Sequence, residues 1–558
     1  MSQNKISGAE IIVKVLIEQG CDVIFGYPGG QVLNIYESLY HHKKEIKHIL
    51  TAHEQGAAHA ADGYARSSGK TGVVLATSGP GATNLVTGIA AAYMDSIPVV
   101  AITGNVPTSQ IGTDSFQEVD ITGITMPVTK HNFFVDKVEK LADTLRKAFV
   151  LAKSGRPGPV LVDIPKDVQE KKCVFIPCEK VSKEEPFAAK EIRIEEAANV
   201  INNAKRPFIY FGGGVVSADA DKELTELSEL IDAPMGCSMM GLSCISGNFK
   251  KFLGMQGMHG NYACTMAMNK ADVIIACGVR FNDRSTNDRR KFELNAKVVH
   301  IDVDGSELSK TVDEYCSLRG DLKETLKLLL KKLDKKNNDA WSKQIEKFKK
   351  DGENKNLGKN VFNPEGIYHL INELKKDMPV VTDVGQHQVW AAQYLSFTKK
   401  RSFISNCGLG AMGYGLGAAI GTAFGRDMKE RVLLITGDGS FGMNLNELAT
   451  AVTYNIPVTV IIMDNNVLGM VRQYQTMYYK KHYSATVLNR KTDFVALAKA
   501  FGADGRKVSD LESLREAFEL SIESKGPFVI DCMMDKDELV LPMMKPGGST
   551  EDIITEWP

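Results

Sequence analysis

Residues 431–436, Arg-Val-Leu-Leu-Ile-Thr, run without a break into Gly437-Asp438-Gly439-Ser440-Phe441 and then into a helix-like stretch. A continuous apolar run that ends in glycine is the pattern of a strand buried on both faces, which a parallel sheet flanked by helices provides. The same rhythm recurs at 73–76, 99–103 and 160–164, and again at 380–384 and 458–463. Repeated βαβ units are therefore expected, giving an α/β chain of three doubly wound parallel-sheet domains. The 558 residues suit that count, at roughly 150 residues per domain. The expected domains are 1–180, 190–340 and 363–558. A lysine- and glutamate-rich stretch, 179–190, reads as the first linker. The lysine-rich stretch 331–359 reads as a solvated helix plus loop.

Charge and cysteine usage exclude several function classes. A net charge of −1 provides no global field for nucleic acid or an anionic membrane. The ten cysteines show neither CxxC nor zinc spacing, and in a chain this large they read as reduced thiols. No apolar run reaches the ~18 residues of a membrane span, and the first residues lack the organisation of a secretory signal. The expectation is a cytoplasmic protein with neither nucleic-acid nor membrane partners.

The chemistry concentrates in the third domain. The run at 458–463 delivers Asp464-Asn465-Asn466, so in a parallel sheet these residues and Gly437-Asp438-Gly439 leave at the same carboxyl edge, where ligands of open α/β folds collect. Glycines there let backbone approach a phosphate, and a following helix offers free N–H groups. Asp438 and Asn465 supply the hard oxygens that magnesium on a diphosphate takes. Gly-Asp-Gly alone would be a turn; the strand context and the spaced asparagines give it a ligand.

Gly437-Asp438-Gly439, followed by the 26 residues from Ser440 to Asn465, resembles the thiamine-diphosphate-binding motif. The likeness implies Mg2+ held by Asp438, Asn465 and the backbone carbonyl of Val467. It also implies a diphosphate near Gly437, Gly439, Ser440, Gln386 and His387, with Met470 at the cofactor. Such an enzyme needs one buried acid on the aminopyrimidine ring, and Glu54, within residues 51–66, matches the family's activating glutamate. A zinc reading of His53-Glu54 fails, because HExxH needs a histidine where Ala57 stands. The stretches at 26–30 (with Tyr27, Pro28 and Gly29), 77–84, 111–118 and 155–167 resemble the pyrimidine-binding domain of acetohydroxyacid synthases. In that family the two cofactor ends sit on different domains across a subunit interface, which implies a homodimer or homotetramer.

Gly408-Leu-Gly-Ala-Met-Gly413 satisfies the dinucleotide fingerprint GxGxxG but lies in the wrong domain. By the resemblance this loop, with Gly410, carries the residue that bends the cofactor, here Met412. In the middle domain, Gly278-Val-Arg-Phe-Asn-Asp-Arg284 is similar to the segment that marks the FAD-containing members, with Asn282 where aspartate is usual. The likeness implies FAD contacts at Gly212, Gly213, Gly214, His259, Gly260, Arg280, Asp302, Asp321 and Arg156. It implies a second-substrate clamp at Arg280, whose planar fork suits a carboxylate, with Gln117, Phe116 and Lys166. Tyr474 stands where the family usually places tryptophan in the second-substrate pocket. The implied reaction joins a two-carbon unit from pyruvate to pyruvate or 2-oxobutanoate, in branched-chain amino-acid synthesis, with a small regulatory subunit as a further partner. Alternatives are another thiamine-diphosphate lyase, such as a 2-oxo acid decarboxylase or a sulfoacetaldehyde acetyltransferase, and a non-catalytic paralogue. The proline- and glycine-broken segment 541–549 argues against a membrane-docking tail.

Overall fold

A computed structural model describes residues 5–179, 185–287, 296–353, 361–548 and 552–557. Three six-stranded sheets form, and every strand pair within them is parallel. The first contains Val23–Tyr27, Lys47–Leu50, Gly72–Ala76, Val99–Asn105, His131–Phe134 and Val160–Pro165. The second contains Pro207–Phe211, Met235–Cys237, Phe252–Met255, Val273–Cys277, Lys297–Asp302 and Cys316–Arg319. The third contains Val380–Thr382, Phe403–Ser405, Val432–Gly437, Val458–Asp464, Asp504–Val508 and Phe528–Met533.

Numbered in chain order within each sheet, the first and third sheets run 2-1-3-4-6-5 and the middle sheet runs 3-2-1-4-5-6. Each order reverses direction between strands 1 and 3 in the outer sheets, where strand 6 also turns back to lie between strands 4 and 5, and between strands 1 and 4 in the middle one. Chains leave such a point on opposite sides, which opens a crevice at the carboxyl edge where ligands bind. Three glycine-bearing strand ends fall at these crevices. They are Tyr27-Pro28-Gly29 facing Thr77, Gly212-Gly213-Gly214 facing Gly278, and Gly385 facing Gly437 and Asp438.

The first and third sheets share one apolar core. Its centre is the crossing of helix Glu54–Ser68 on helix Gly415–Gly425, where backbones meet with almost nothing between them. A Cβ on Gly421 would lie 1.8 Å from the Ala60 carbonyl oxygen, and one on Gly63 would lie 2.2 Å from that of Ala418. The alanines and glycines of both helices are therefore a packing requirement, since side chains of ordinary size would hold the helices apart.

The lysine-rich stretch differs in part from the expected solvated helix. Helix Asp339–Gly352 turns its lysines outward but buries Trp341, Ile345 and Phe348 in the middle domain. The Trp341 indole donates to the Pro207 carbonyl at 3.0 Å, so one face of this helix is core. Residues 354–360 of that stretch and 180–184 of the first linker lie outside the described residues. No helix among the described residues is long and apolar enough to cross a membrane.

Candidate active site

The third sheet assembles one cluster. Gly437 pairs with Met463 in register, so Asp438 and Asp464 leave adjacent strands side by side. Asp438 opens helix Asp438–Asn444 and is buried. Burial first, and then the facing Asp464 carboxylate, push Asp438 up to about 7. Burial and the same neighbour push Asp531 up to about 7 as well. Among the described residues no lysine or arginine forms an ion pair with Asp438 or Asp464. Two packed acids without a counter-charge are the condition that a bound cation relieves.

The remaining third-domain candidates gather around these acids. Asn465 Nδ2 donates to Gln386 Oε1 at 3.3 Å, and the Val467 N–H donates to Asn465 Oδ1 at 3.2 Å. Ser440 Oγ donates to the Val384 carbonyl at 2.8 Å. His387 Nε2 is buried without a partner, and burial lowers its pKa to about 3, which keeps the ring neutral. A Cβ on Gly439 would touch Leu468, Leu488 and Met412, and one on Gly469, beside Met470, would strike Gln386. The Gly410-Met412 loop is fixed at both ends by carboxylates. Asp95 accepts from the N–H groups of Cys407 and Gly408, and Asp383 accepts from those of Gly413 and Gly415. Gly410 and Gly413 take left-handed backbone, at φ 70° and 85°. The fingerprint-like glycines are thus turn residues of this loop.

A second cluster lies at the first sheet's crevice. Glu54 is the first residue of its helix, where a carboxylate also meets the favourable end of the helix dipole. Its Oε2 accepts from Asn84 Nδ2 at 2.9 Å, and it is half-buried. Gln117, at φ 62°, packs against Gly79, and Gly29 lies against Thr77. Tyr27 is exposed, and Phe116 is 85% exposed. Lys166 opens the short helix after Val160–Pro165.

The middle-sheet candidates divide. A Cβ on Gly214 would lie 2.6 Å from Gly278 Cα, so the strand ends meet at van der Waals distance. His259 Nδ1 is buried without a partner, beside Gly260, and burial lowers this ring to about 4. Asp302 is raised by burial. Arg280 donates to the Met94 carbonyl at 2.7 Å. Asp321 caps helix Leu322–Leu330 by accepting from the Glu324 N–H. Arg156, expected at a flavin, is engaged by Glu307 at 2.8 Å and Asp304 at 3.4 Å. Tyr474 places its hydroxyl 3.6 Å from Met258 Sδ, the sulfur that Arg284 also contacts.

Within one chain, among the described residues, no hydrogen bond or ion pair joins the Glu54 cluster directly to the Asp438 cluster. The two domains are nonetheless tied together close to Glu54 by Glu447, a buried residue in helix Glu447–Thr453 that accepts from the N–H groups of Ala52 and His53. Sequence reasoning missed Glu447, Asp464, Asp383 and Asp95. Asp464 lay in a quoted motif, but the other three show no local signal, because their partners are distant in sequence.

Profile comparison then matches the three units in order. Residues 6–124 match "Thiamine pyrophosphate enzyme, N-terminal TPP binding domain", 194–329 the central domain, and 383–532 the "C-terminal TPP binding domain". The acetolactate synthase isozyme 3 large subunit of Escherichia coli is 43% identical over 98% of both chains. This chain belongs to the acetolactate synthase large subunits. The isozyme 2 large subunit of the same organism is 41% identical over 98% of this chain and 99% of its own, and the acetolactate synthase large subunit of Haemophilus influenzae is 41% identical over 99% of each. The resemblance carried by residues 437–440, 465 and 54 therefore extends over nearly the whole chain.

Proposed function

We propose that the chain decarboxylates pyruvate and joins the two-carbon unit to a second 2-oxo acid, pyruvate or 2-oxobutanoate, at sites completed by two copies of the chain. The observation that carries the site assignment is the uncompensated pair Asp438 and Asp464 at the third sheet's crevice, next to the unpartnered His387 Nε2. An acid, the Asn465 amide and the Val467 carbonyl suit a hard divalent cation such as Mg2+. No group of three or more His, Cys, Asp or Glu side chains arranged for a metal occurs among the described residues, so the amide and carbonyl oxygens are needed. His387, Gln386, Ser440 and the N–H groups of helix Asp438–Asn444 would face the diphosphate. Met412 and Met470 would pack against its rings.

Thiamine diphosphate, when bound, supplies an electron sink for the carbon–carbon bonds that break and form. Glu54 would hold the proton shared with the aminopyrimidine ring nitrogen, with Asn84 fixing the carboxylate that carries it. Arg280, Gln117, Phe116 and Lys166 would orient the second substrate, and Tyr474 would border its alkyl end.

The absent link between the Glu54 and Asp438 clusters supports a homodimer or larger, in which each cluster completes the other copy's site. Exposed Phe116, Tyr27, Ile111, Ile124 and Met126 on the first domain support the same reading. The Gly214–Gly278 crevice and the unpartnered His259 support FAD in the middle domain, with Asp302 at its edge. Arg156 and Asp321 would reach FAD with the donors and acceptors that their present partners leave over, a guanidinium having five N–H groups and a carboxylate two oxygens. A small regulatory subunit is the partner implied by relatives named as large subunits. Ten free and mostly buried cysteines support a reducing, cytoplasmic compartment. Glu54→Gln tests the assignment. Cofactor-dependent thermal stabilisation should persist while acetolactate formation falls at least about 10²-fold, the low end for a positioned acid–base group. Near-wild-type turnover sinks it.

A further inference from the structure

We infer that Glu447 is a positioning residue for Glu54: its carboxylate, delivered from the third domain, grips the backbone just before Glu54 and so sets where the acid points. The inference rests on the reading of Glu54 as the proton-holding acid.

The geometry is specific. Glu447 is fully buried. Its Oε1 accepts from the His53 N–H at 3.0 Å, and its Oε2 accepts from the Ala52 N–H at 3.2 Å and the Thr450 hydroxyl at 2.7 Å. A carboxylate shared by two amides and a hydroxyl forms charge-assisted bonds, stronger than neutral ones. Access depends on Gly56, because a Cβ there would lie 2.0 Å from Glu447 Oε1. His53 caps the helix with its own Nδ1, accepting from the Gln55 N–H at 3.1 Å. Thr51 Oγ1 adds a bond to the His53 carbonyl at 3.2 Å. Glu54 is therefore held twice, by Glu447 through the preceding backbone and by Asn84 through the carboxylate.

Ordinary interdomain adhesion predicts only a loss of stability when Glu447 is cut back. Positioning predicts more, because a displacement of about 1 Å in a reacting group can cost on the order of 10²-fold in rate. Glu447 touches neither substrate nor cofactor in this account, so its effect passes through Glu54.

The test uses full-length protein loaded with thiamine diphosphate and magnesium. The readout is deuterium exchange at the thiazolium C2 position, followed by acid quench and proton NMR, with melting temperature measured beside it. Glu447→Ala should slow exchange by at least about 10-fold while cofactor binding persists. Glu447→Gln, which keeps one oxygen acceptor, should slow it by about 3-fold. Gly56→Ala, which pushes the carboxylate away without altering it, should also slow exchange. If Glu447→Ala does not fold, the Gln and Gly56 variants decide. Wild-type exchange in folded variants, whatever their melting temperatures, overturns the inference. Glu54→Gln runs in parallel. Slow exchange there with normal exchange at Glu447 variants rejects the role of Glu447 alone, whereas normal exchange in Glu54→Gln rejects the reading of Glu54 itself.

Discussion

Gly421→Ala tests the join between the cofactor-binding domains with the smallest possible change. The new Cβ would sit 1.8 Å from the Ala60 carbonyl oxygen and 2.6 Å from its carbonyl carbon. Both are backbone atoms of a buried helix, so no side chain can rotate away. Relief requires helices Glu54–Ser68 and Gly415–Gly425 to separate by more than about 1 Å, and a gap of that size forfeits a quarter to a half of each contact's attraction. Overpacking of this kind costs about 1–3 kcal/mol or more, and the backbone clash places Gly421 at the upper end. Alanine returns up to about 1 kcal/mol of helix propensity. The net loss is then about 2 kcal/mol, or roughly 4–8 °C in melting temperature for a domain of this size. Differential scanning calorimetry should show it, with Gly526→Ala as the control, since a Cβ at Gly526 meets nothing within 4 Å. Equal melting temperatures for the two variants would refute the close-packed crossing.

Three further outcomes follow from the site and its supports. Asp438→Ala should abolish the thermal stabilisation given by thiamine diphosphate with magnesium, worth about 2.7 kcal/mol at a hundredfold excess over Kd; its persistence in a thermal-shift assay would reject the metal assignment. Tyr474→Trp should raise the ratio of acetohydroxybutanoate to acetolactate when both acceptors compete, within the ~1–3 kcal/mol that a methylene allows in an apolar pocket. An unchanged ratio would show that tyrosine already serves as well as indole. Glu314→Gln should destabilise the middle domain by roughly 1–3 kcal/mol at pH 7, because it weakens the hydrogen bonds that the carboxylate accepts from the Ser309 N–H and Ser317 and shares with His300, where the Glu314 and His300 side chains are both 1% exposed. Burial opposes charge on Glu314, but hydrogen bonds from His300, Ser317 and the Ser309 N–H outweigh it and hold its pKa below the ordinary value. The stability it contributes is therefore present above about pH 4.3 and lost as pH falls through the lower folded value. Melting curves of wild type and variant should converge in acid.

The strands that carry the site were legible because both faces of a parallel sheet are covered, which leaves continuous apolar runs. Residues 432–436 and 458–463 were read within one residue of Val432–Gly437 and Val458–Asp464. The run at 380–384 was read too long. The strand stops at Thr382 because Asp383 turns to accept from Gly413 and Gly415, and an apolar pattern does not register that tertiary contact. The placement of Asp438 and Asn465 at one sheet edge was legible because their spacing is local to one βαβ unit. Glu447 was not, since Ala52 is nearly four hundred positions away and a lone glutamate after a helix break reads as surface. Arg156 shows how a tertiary partner escapes the sequence. A glycine–proline loop gave its position, but the acids Asp304 and Glu307 that engage it belong to another domain.

The most direct test of the central claim is product identity from pyruvate alone. Purified protein is incubated with pyruvate, thiamine diphosphate and magnesium, with and without FAD, and acetolactate is measured colorimetrically after acid conversion. Acetolactate that requires thiamine diphosphate and magnesium, and that disappears in Glu54→Gln, is the predicted result. Acetaldehyde as the sole product, or no turnover with FAD present, would contradict it.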